Sequence, residues 1–196
     1  MEKRVLIDEE TIQKRIHQLA ESINHDYEGK DLTLICILKG SLYFFSDLSR
    51  RIKGDPLIEF MRVKSYEGEN STGIIEIRVD LDQSIKGKDV LIIEDIIDSG
   101  NTLSYLKTYL KDKKPNSIRI CTLLDKPDRR DKKIKINVDY VGFTIKDRFV
   151  IGYGLDLDEQ YRAIPEIHCF TDDDEEKLQE EREEIQKQLV KTKRTR

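Results

Sequence analysis

The most constraining feature of the chain is a short apolar run that ends in acidic residues and a glycine turn. Residues 90–97 read Val-Leu-Ile-Ile-Glu-Asp-Ile-Ile, and Asp-Ser-Gly-Asn-Thr follows directly at residues 98–102. A run this short and this apolar predicts a β-strand buried on both faces. Leu103, Leu106 and Leu110 predict a helix after the turn. The carboxylates would then lie at the carboxyl end of a sheet strand, where α/β folds bind ligands.

The residue types of this segment suit a ribose phosphate. Glu94 and Asp95 are natural partners for the two vicinal hydroxyls of a ribose. The turn over residues 99–102 offers backbone N–H groups, hydroxyl donors and the positive end of a helix dipole, which favour a phosphate. Neither the P-loop motif nor the dinucleotide-binding glycine motif occurs there. The alternative is an ordinary capped turn after solvated acids, but three carboxylates within residues 94–98 are costly to bury without a use.

The rest of the chain alternates apolar runs with amphipathic segments, which predicts an α/β fold with a central, mainly parallel sheet flanked by helices. Apolar residues at helical spacing predict one helix over residues 8–26, with Asp8 as its N-cap, and another that contains Leu42, Phe45 and Leu48. Strands are predicted over residues 32–38, 57–63, 75–79, 90–97, 118–124, 138–143 and 149–152, with a polar loop over residues 64–73.

Composition excludes several classes of function. The chain has 35 Lys and Arg against 39 Asp and Glu, a formal net charge of −4, so we expect no general attraction to nucleic acid or acidic membranes. No apolar run approaches the ~18 residues of a membrane span, and the first residues lack the apolar stretch of a secretory signal. The three cysteines, Cys36, Cys121 and Cys169, lie among apolar neighbours and predict buried free thiols in the reducing cytoplasm.

The last 25 residues differ from the rest in composition. Residues 172–196 carry 16 charged side chains, so we expect a domain over residues 1–171 and a charged helical tail over residues 172–196. Leu178, Ile185 and Leu189 form one thin apolar stripe along that helix. The composition favours a solvated helix that frays, and the alternative is a helix that packs on a partner subunit.

Glu94-Asp95 together with residues 98–102 resembles the phosphoribosyl-pyrophosphate (PRPP) signature of type I phosphoribosyltransferases. Further segments are similar to the hypoxanthine-guanine branch of that family, and the resemblance runs from about residue 5 to residue 170. These segments are residues 38–41, 64–66 with 71–73, 124–127 and 147–156. The resemblance implies the type I phosphoribosyltransferase fold, in which a small hood subdomain from the chain ends covers the sheet.

The resemblance also implies an activity in purine salvage. Such an enzyme transfers the 5-phosphoribosyl group of PRPP to hypoxanthine or guanine, giving IMP or GMP and pyrophosphate, and it requires Mg²⁺. The implied partners are these small molecules and further copies of the chain, as a homodimer or homotetramer, with no membrane and no nucleic acid.

The resemblance implies the following roles for the residues that would bind the ribose and its 5′-phosphate. Asp98 would be the catalytic residue, exchanging a proton with purine N7. Glu94 and Asp95 would hold the ribose hydroxyls, partly through Mg²⁺. The 5′-phosphate would be cradled by Asp98, Ser99, Gly100, Asn101 and Thr102. Asn101 stands where some relatives carry Lys or Arg.

On the pyrophosphate side, Lys39 and Gly40 resemble the family's pyrophosphate loop, in which a non-proline cis peptide turns an N–H toward the diphosphate. Arg162 would pair with the leaving pyrophosphate, because a guanidinium suits phosphate oxygens. Arg130 is a second candidate for the same region. Asp156 would bind a second Mg²⁺ through water.

On the purine side, Phe149 would stack on the base, Val150 would meet the base edge and Lys126 would donate to the 6-oxo group. Adenine would be rejected, because its 6-amino group would leave the Lys126 ammonium unpaired. Ser65 and Tyr66 would belong to a mobile lid.

Two alternatives stay open. A regulator that binds RNA on the same scaffold needs a basic patch, and residues 126–135 contain six Lys and Arg side chains. The purine-type segment over residues 149–156 argues against that alternative. The resemblance also allows guanine nucleotides such as ppGpp to compete at the PRPP site. The preference between hypoxanthine and guanine stays open as well.

Overall fold

A six-stranded sheet forms the centre of the protein, in a computed structural model that describes residues 2–65, 75–171 and 175–191. The strands are β1 Glu2–Ile7, β2 Leu32–Leu38, β3 Leu57–Ser65, β4 Ile75–Val79, β5 Asp89–Ile97, β6 Ser117–Asp125, β7 Tyr140–Thr144, β8 Val150–Ile151 and β9 Ile167–Thr171. The helices are α1 Glu9–Asp26, α2 Leu42–Ser49, α3 Asn101–Lys111 and α4 Glu175–Lys191, with a short 3₁₀ turn over Pro127–Arg129.

The central sheet has the order β4-β3-β2-β5-β6-β7. Its last five strands run parallel, and β4 pairs antiparallel with β3 at the edge. A second, antiparallel sheet has the order β1-β9-β8 and joins the two ends of the chain. The α/β class and the small subdomain from the chain ends are therefore confirmed.

Both faces of the central sheet are buried, as the apolar runs predict. On β2, Leu34 and Cys36 belong to the apolar cluster under α1, α2 and α4, whereas Ile35 and Ile37 belong to the cluster under α3. Helix α1 follows its predicted course, because Asp8 Oδ1 accepts a hydrogen bond from Thr11 N at 2.7 Å and caps the first turn.

Several element boundaries differ from those predicted. Strand β3 continues through Lys64 and Ser65, which the sequence assigns to a loop, because both residues pair with β4. Strand β7 begins at Tyr140, and β8 is only two residues long. Strands β1 and β9 are not predicted at all. Tyr66 and the other residues of the proposed lid up to Gly73 lie outside the described residues.

The C-terminal helix is correctly predicted as a helix, but the expectation of a solvated helix is wrong. Leu178, Ile185 and Leu189 are all buried, and together they extend the main apolar cluster. The Arg182 guanidinium donates to the Val5 carbonyl oxygen at 2.7 Å. The apolar stripe thus packs against the rest of the same chain, which stabilises the fold by burying apolar area. A partner subunit is not needed to cover the stripe.

The three cysteines are free and buried, as predicted. Burial raises the pKa of Cys36 to about 12 and also raises the pKa of Cys121 and Cys169, because a thiolate loses its hydration in an apolar surrounding. Among the described residues, no helix has both the length and the apolar character that crossing a bilayer requires.

Candidate active site

The residues predicted to bind PRPP and metal, except Asn101, meet in a cleft of about 460 Å³ at the carboxyl ends of β2 and β5. Lys39 and Gly40 follow β2, and the acidic end of β5 faces them. The wall is completed by Ser99, Gly100 and Thr102 at the start of α3, and by Asp156 and Arg162 from the segment between β8 and β9. This is the edge of a parallel sheet where α/β folds bind ligands.

Cavity volume alone does not identify this cleft. A larger groove of about 800 Å³ runs along the C-terminal half of α1 toward residues 51–54. Its lining includes His17, Asn24 and Lys53, and it contains none of the residues of the acidic segment or the glycine turn. We assign the chemistry to the smaller cleft, because carboxylates, cations and a helix N-terminus converge there.

Glu94 and Asp95 are an unusual pair of carboxylates at the floor of the cleft. Burial raises the pKa of Glu94 well above its usual range, and repulsion by Asp95 raises it further. Burial also raises the pKa of Asp95, although hydrogen bonds and the Arg162 charge act in the opposite direction. Both side chains are only partly exposed, and two adjacent acids whose charged forms are disfavoured in this way would be stabilised by a cation or by hydroxyl donors.

The glycine turn connects β5 to α3 through a backbone shape that a side chain would disfavour. Gly100 has a φ of +85° and stands at the N-cap position of α3, where no side chain caps the helix. Asn101 N donates to Ser99 Oγ at 3.3 Å, and the N–H groups of the two residues that follow are left for another acceptor. Ser99, Gly100 and Thr102 line the cleft, whereas Asn101 is not part of its lining.

Arg130 lies in a different place from the one the sequence suggests. It packs beside Gly100 and forms an ion pair with Asp125, so it lies next to the glycine turn and not in the pyrophosphate region. An ideal Cβ on Gly100 would come within 3.2 Å of Arg130 Nη1 and of Ile136 Cγ2. The turn is thus packed tightly from its far side.

The segment predicted to be the pyrophosphate loop carries the expected type of peptide bond, one residue earlier than predicted. The cis bond joins Leu38 to Lys39, and it is not a proline bond. An added Cβ on Gly40 would overlap the Asp95 carboxylate, and one on Gly154 would overlap the Gly40 carbonyl oxygen. Both positions therefore require glycine. The Asp95 carboxylate leaves no room for a side chain at Gly40, and the backbone of Gly40 leaves none at Gly154.

Charged side chains from distant segments form a cluster at one side of the cleft. Arg162 donates through Nη1 to the Gly154 carbonyl oxygen at 2.8 Å, and its Nη2 lies 2.9 Å from Asp156 Oδ1. Glu159 Oε2 accepts from Lys39 Nζ at 2.7 Å and from Arg162 Nη2 at 3.2 Å. These hydrogen bonds lower the pKa of Glu159. Sequence reasoning missed Glu159, which is an exposed acid in a chain rich in charge.

The predicted purine-binding residues lie in two places. Lys126 is only 5% exposed, and its Nζ stands 3.5 Å from Asp98 Oδ1. Val150 is buried in β8, and the ring of Phe149 is half exposed, 6.1 Å from the ring of Phe170. The structure thus brings Lys126 to Asp98, and Phe149 and Val150 belong to the small sheet. None of these three predicted purine-binding residues lines the 460 Å³ cleft. Ser65 ends β3.

The carboxylates fit a magnesium ion that is shared with a substrate. Among the described residues, no three His, Cys, Asp or Glu side chains are grouped so as to hold a metal by themselves. Mg²⁺ is usually bound by one or two carboxylates together with waters and substrate phosphates. Glu94 and Asp95, whose pKa values are raised by burial, supply that kind of donor set.

Comparisons with known proteins show the family of this chain. The family described as "Phosphoribosyl transferase domain" matches residues 6–158. A hypoxanthine-guanine phosphoribosyltransferase of Mycobacterium tuberculosis is 48% identical over 172 residues, which are 84% of each chain. A hypoxanthine phosphoribosyltransferase of Escherichia coli is 45% identical over 166 residues, which are 83% of this chain and 92% of that one.

Solved structures give the same result for the fold. A hypoxanthine phosphoribosyltransferase of Staphylococcus aureus superposes with a TM-score of 0.81 at 48% identity, covering 86% of this chain and 91% of that one. A hypoxanthine-guanine phosphoribosyltransferase of Bacillus anthracis has a TM-score of 0.81 at 44% identity, covering 86% and 98%.

Proposed function

Since this chain belongs to the phosphoribosyl transferase domain family, we propose that it transfers the 5-phosphoribosyl group of PRPP to hypoxanthine or guanine. The products are IMP or GMP and pyrophosphate, so the enzyme acts in purine salvage. The site that carries this reaction is the cleft in which Glu94, Asp95 and Asp98 face Lys39 and Arg162.

The observation that carries the proposal is the contact between Lys126 and Asp98. A lysine that is 5% exposed and 3.5 Å from an acid places a cation beside the proposed acid–base group. The cation can donate to the 6-oxo group of a purine while the acid reaches the imidazole part of the same ring. Adenine presents a donor instead of an acceptor at its position 6, so two donors would face each other at the buried Lys126 and this hydrogen bond would be lost.

The chain's own residues supply the acid–base chemistry and the binding of charge. The bond from C1′ of the ribose to the pyrophosphate oxygen breaks, and a bond from C1′ to purine N9 forms. Asp98 accepts the proton that leaves N7, as a positioned general base. Lys39 and Arg162 bind the departing diphosphate, and the N–H groups of the glycine turn bind the 5′-phosphate.

Magnesium is part of this proposal. Glu94 and Asp95 would hold one ion together with the ribose hydroxyls, and Asp156 would hold a second through water. An ion held by these carboxylates would neutralise charge on the diphosphate leaving group. The proposed compartment is the cytoplasm, which suits three free cysteines.

A panel of bases tests the proposal directly. Purified protein is mixed with Mg²⁺, PRPP and one of hypoxanthine, guanine, xanthine or adenine, and nucleotide formation is measured. We expect turnover with hypoxanthine or guanine and none with adenine. The absence of turnover with both oxopurines would refute the proposed activity.

A paired substitution tests the role of Lys126. Lys126→Met should remove most of the turnover with oxopurines, because the 6-oxo group loses its donor. Lys133→Met, at an exposed position of the same segment, should behave like the wild type. Equal activity of the two variants would contradict the assignment of Lys126.

We also propose that the enzyme is a homodimer or homotetramer. Exposed apolar side chains support this, with 39–45% of each of four residues exposed: Leu42 and Tyr43 of α2, and Ile58 and Phe60 of β3. The ring of Phe60 packs 5.6 Å from the ring of Phe45 on α2, and large exposed apolar patches mark protein–protein interaction sites. Sedimentation at micromolar concentration should show an oligomer that dissociates in Ile58→Glu, and a monomeric wild type would contradict it.

The contacts of the basic segment argue against the RNA-binding alternative. Lys126 is buried, Arg129 Nε lies 2.9 Å from Asp147 Oδ1, and Arg130 is paired with Asp125. Three of the six cations of residues 126–135 are therefore neutralised or out of reach of a phosphate backbone. Salt-dependent binding of RNA by the wild type would restore that alternative.

A further inference from the structure

We propose that the C-terminal helix α4 positions the purine-binding segment, residues 146–150, and that Glu181 is the positioning residue. The inference rests on the proposed function, since it takes Phe149 and Val150 as the residues that contact the base. The family match ends at residue 158, so it does not account for α4.

Glu181 is buried to an extent that is rare for a carboxylate. It is 2% exposed, and its Oε2 accepts a hydrogen bond from Arg148 Nε at 2.5 Å. Its Oε1 accepts from the backbone N of Lys146 at 3.3 Å. The side chain of Arg148 is itself only 11% exposed. A buried carboxylate without these donors would be costly, so the pair holds α4 and this segment together.

A second contact joins the same two parts of the chain. Gln188 Nε2 donates to the Thr144 carbonyl oxygen at 2.9 Å, and Gln188 Oε1 accepts from Thr144 N at 2.8 Å. The side chain of Gln188 therefore pairs with the backbone of Thr144 as a neighbouring strand would. Together with Glu181, it anchors positions 144, 146 and 148, which lead directly to Phe149.

These anchors matter because residues 145–149 lie between β7 and β8 and belong to neither strand. Arg148 also donates through Nη1 to Thr171 Oγ1 at 3.0 Å, which ties the segment to β9. Beyond it, Phe149 O accepts from Phe170 N at 3.3 Å, and Val150 pairs with Cys169. The direction in which the Phe149 ring points thus depends on the conformation that α4 imposes just before it.

The same segment contacts the turn that carries Lys126. Asp147 pairs with Arg129 on that turn, and a small cavity of about 220 Å³ separates Pro127 and Asp128 from Glu181. A shift of α4 would therefore move Phe149 and Val150 relative to Lys126, which we propose to contact the same purine. We expect this to weaken purine binding more than PRPP binding, because the PRPP residues follow β2, β5 and β8, whereas Glu181 and Gln188 hold residues 144–148.

The test compares Glu181→Gln with Glu183→Gln. Both substitutions remove one negative charge from α4, and Glu183 is exposed. For Glu181→Gln we expect a KM for hypoxanthine or guanine raised about tenfold, with the KM for PRPP within about twofold of the wild type. Glu183→Gln should leave both constants unchanged, and Glu181→Asp should recover part of the loss. Equal changes in both KM values, or none, would reduce Glu181 to a purely structural role and overturn the inference.

Because a buried substitution can prevent folding, Gln188→Ala provides a second measurement. It removes the hydrogen bonds to Thr144 and leaves the ion pair intact, with Gln179→Ala at an exposed position as its control. We expect a rise of about threefold in the purine KM for Gln188→Ala alone. If Glu181→Gln does not fold and Gln188→Ala equals its control, the inference is wrong. A wild type without activity on either oxopurine would instead refute the proposed function, and this inference with it.

Discussion

Lys39 and Glu159 are 120 positions apart in the chain, yet Lys39 Nζ donates to Glu159 Oε2 at 2.7 Å. The same oxygen accepts from Arg162 at 3.2 Å. The carboxylate of Glu159 therefore occupies the space between the two cations that we assign to pyrophosphate. A diphosphate that binds both cations must displace it.

Glu159→Gln should strengthen the binding of diphosphates. The amide keeps the size of the side chain but competes less well for the two cations, so the inhibition constant of pyrophosphate and the KM for PRPP should fall by about threefold. Product inhibition by pyrophosphate measures the first value. Asp158→Asn, on the same exposed segment, is the control and should change neither. Weaker pyrophosphate inhibition in Glu159→Gln would contradict this account.

Asp98→Asn should separate catalysis from binding. The amide cannot accept the N7 proton, so kcat should fall by about 10²–10⁴-fold. The Kd for PRPP should change little, because we assign the binding of the 5′-phosphate to the backbone N–H groups of the glycine turn. Rapid-quench turnover and equilibrium dialysis measure the two quantities. Asp128→Asn, at an exposed position, should retain normal turnover. If Asp98→Asn keeps a kcat within about twofold, Asp98 is not the general base.

Gly154→Ala should inactivate the enzyme through crowding. Gly154 has a φ of +103°, and an added Cβ would overlap the Gly40 carbonyl oxygen of the pyrophosphate loop. Gly29→Ala is a matched control, because Gly29 has a φ of +74° with nothing within 4 Å of the added Cβ. The control should lose about 1 kcal/mol of unfolding free energy and keep its activity. Similar kcat/KM values for the two variants would show that the contact is unimportant.

Asp47 should make stability depend on pH in the acid range. Burial alone would raise its pKa, but hydrogen bonds from Tyr153, Gln13 and Arg50 outweigh burial and lower it below the ordinary value of 3.8. An acid with a lowered pKa in the folded state adds stability above its unfolded pKa, and this stability is lost as the pH falls through the folded pKa.

At pH 7, Asp47→Asn should therefore lose about 1–2 kcal/mol of unfolding free energy, because the amide accepts more weakly from these donors. Urea unfolding at pH 7 and again near pH 3 measures the difference, which should shrink at the lower pH. Asp82→Asn, at an exposed position, should differ little from the wild type at either pH. A difference that stays constant with pH would assign the loss to packing.

Local patterns predicted the elements whose burial is uniform along the chain. Strand β2 occupies the predicted residues 32–38, because both of its faces are buried and its run is apolar throughout. Strand β1 is different, since its first residues are charged and exposed. It exists because it pairs with β9 near the other end of the chain. A pattern within residues 2–7 cannot reveal that pairing, because β9 lies about 160 residues away along the chain.

The same reason explains what was missed at the site. The segment over residues 94–102 carries its chemistry in consecutive residues, so it can be interpreted from the sequence alone. Glu159 and Glu181 are single acids in a chain with 39 Asp and Glu. Glu159 pairs with Lys39 and Glu181 pairs with Arg148, and these partners come close only in the folded protein. The spacing of the apolar residues in α4 predicted a helix, but it did not predict which part of the protein that helix packs against.

The burial of the three cysteines also makes the protein convenient for spectroscopy. Thiol reagents attack the thiolate form at an accessible sulfur, and burial raises the pKa of Cys36, Cys121 and Cys169. The native chain should therefore react slowly with maleimides while it is folded. A single cysteine introduced at an exposed position, such as Asp158→Cys, would carry a fluorophore or spin label without removal of the native thiols. The label could then report movement beside Glu159 when a diphosphate binds.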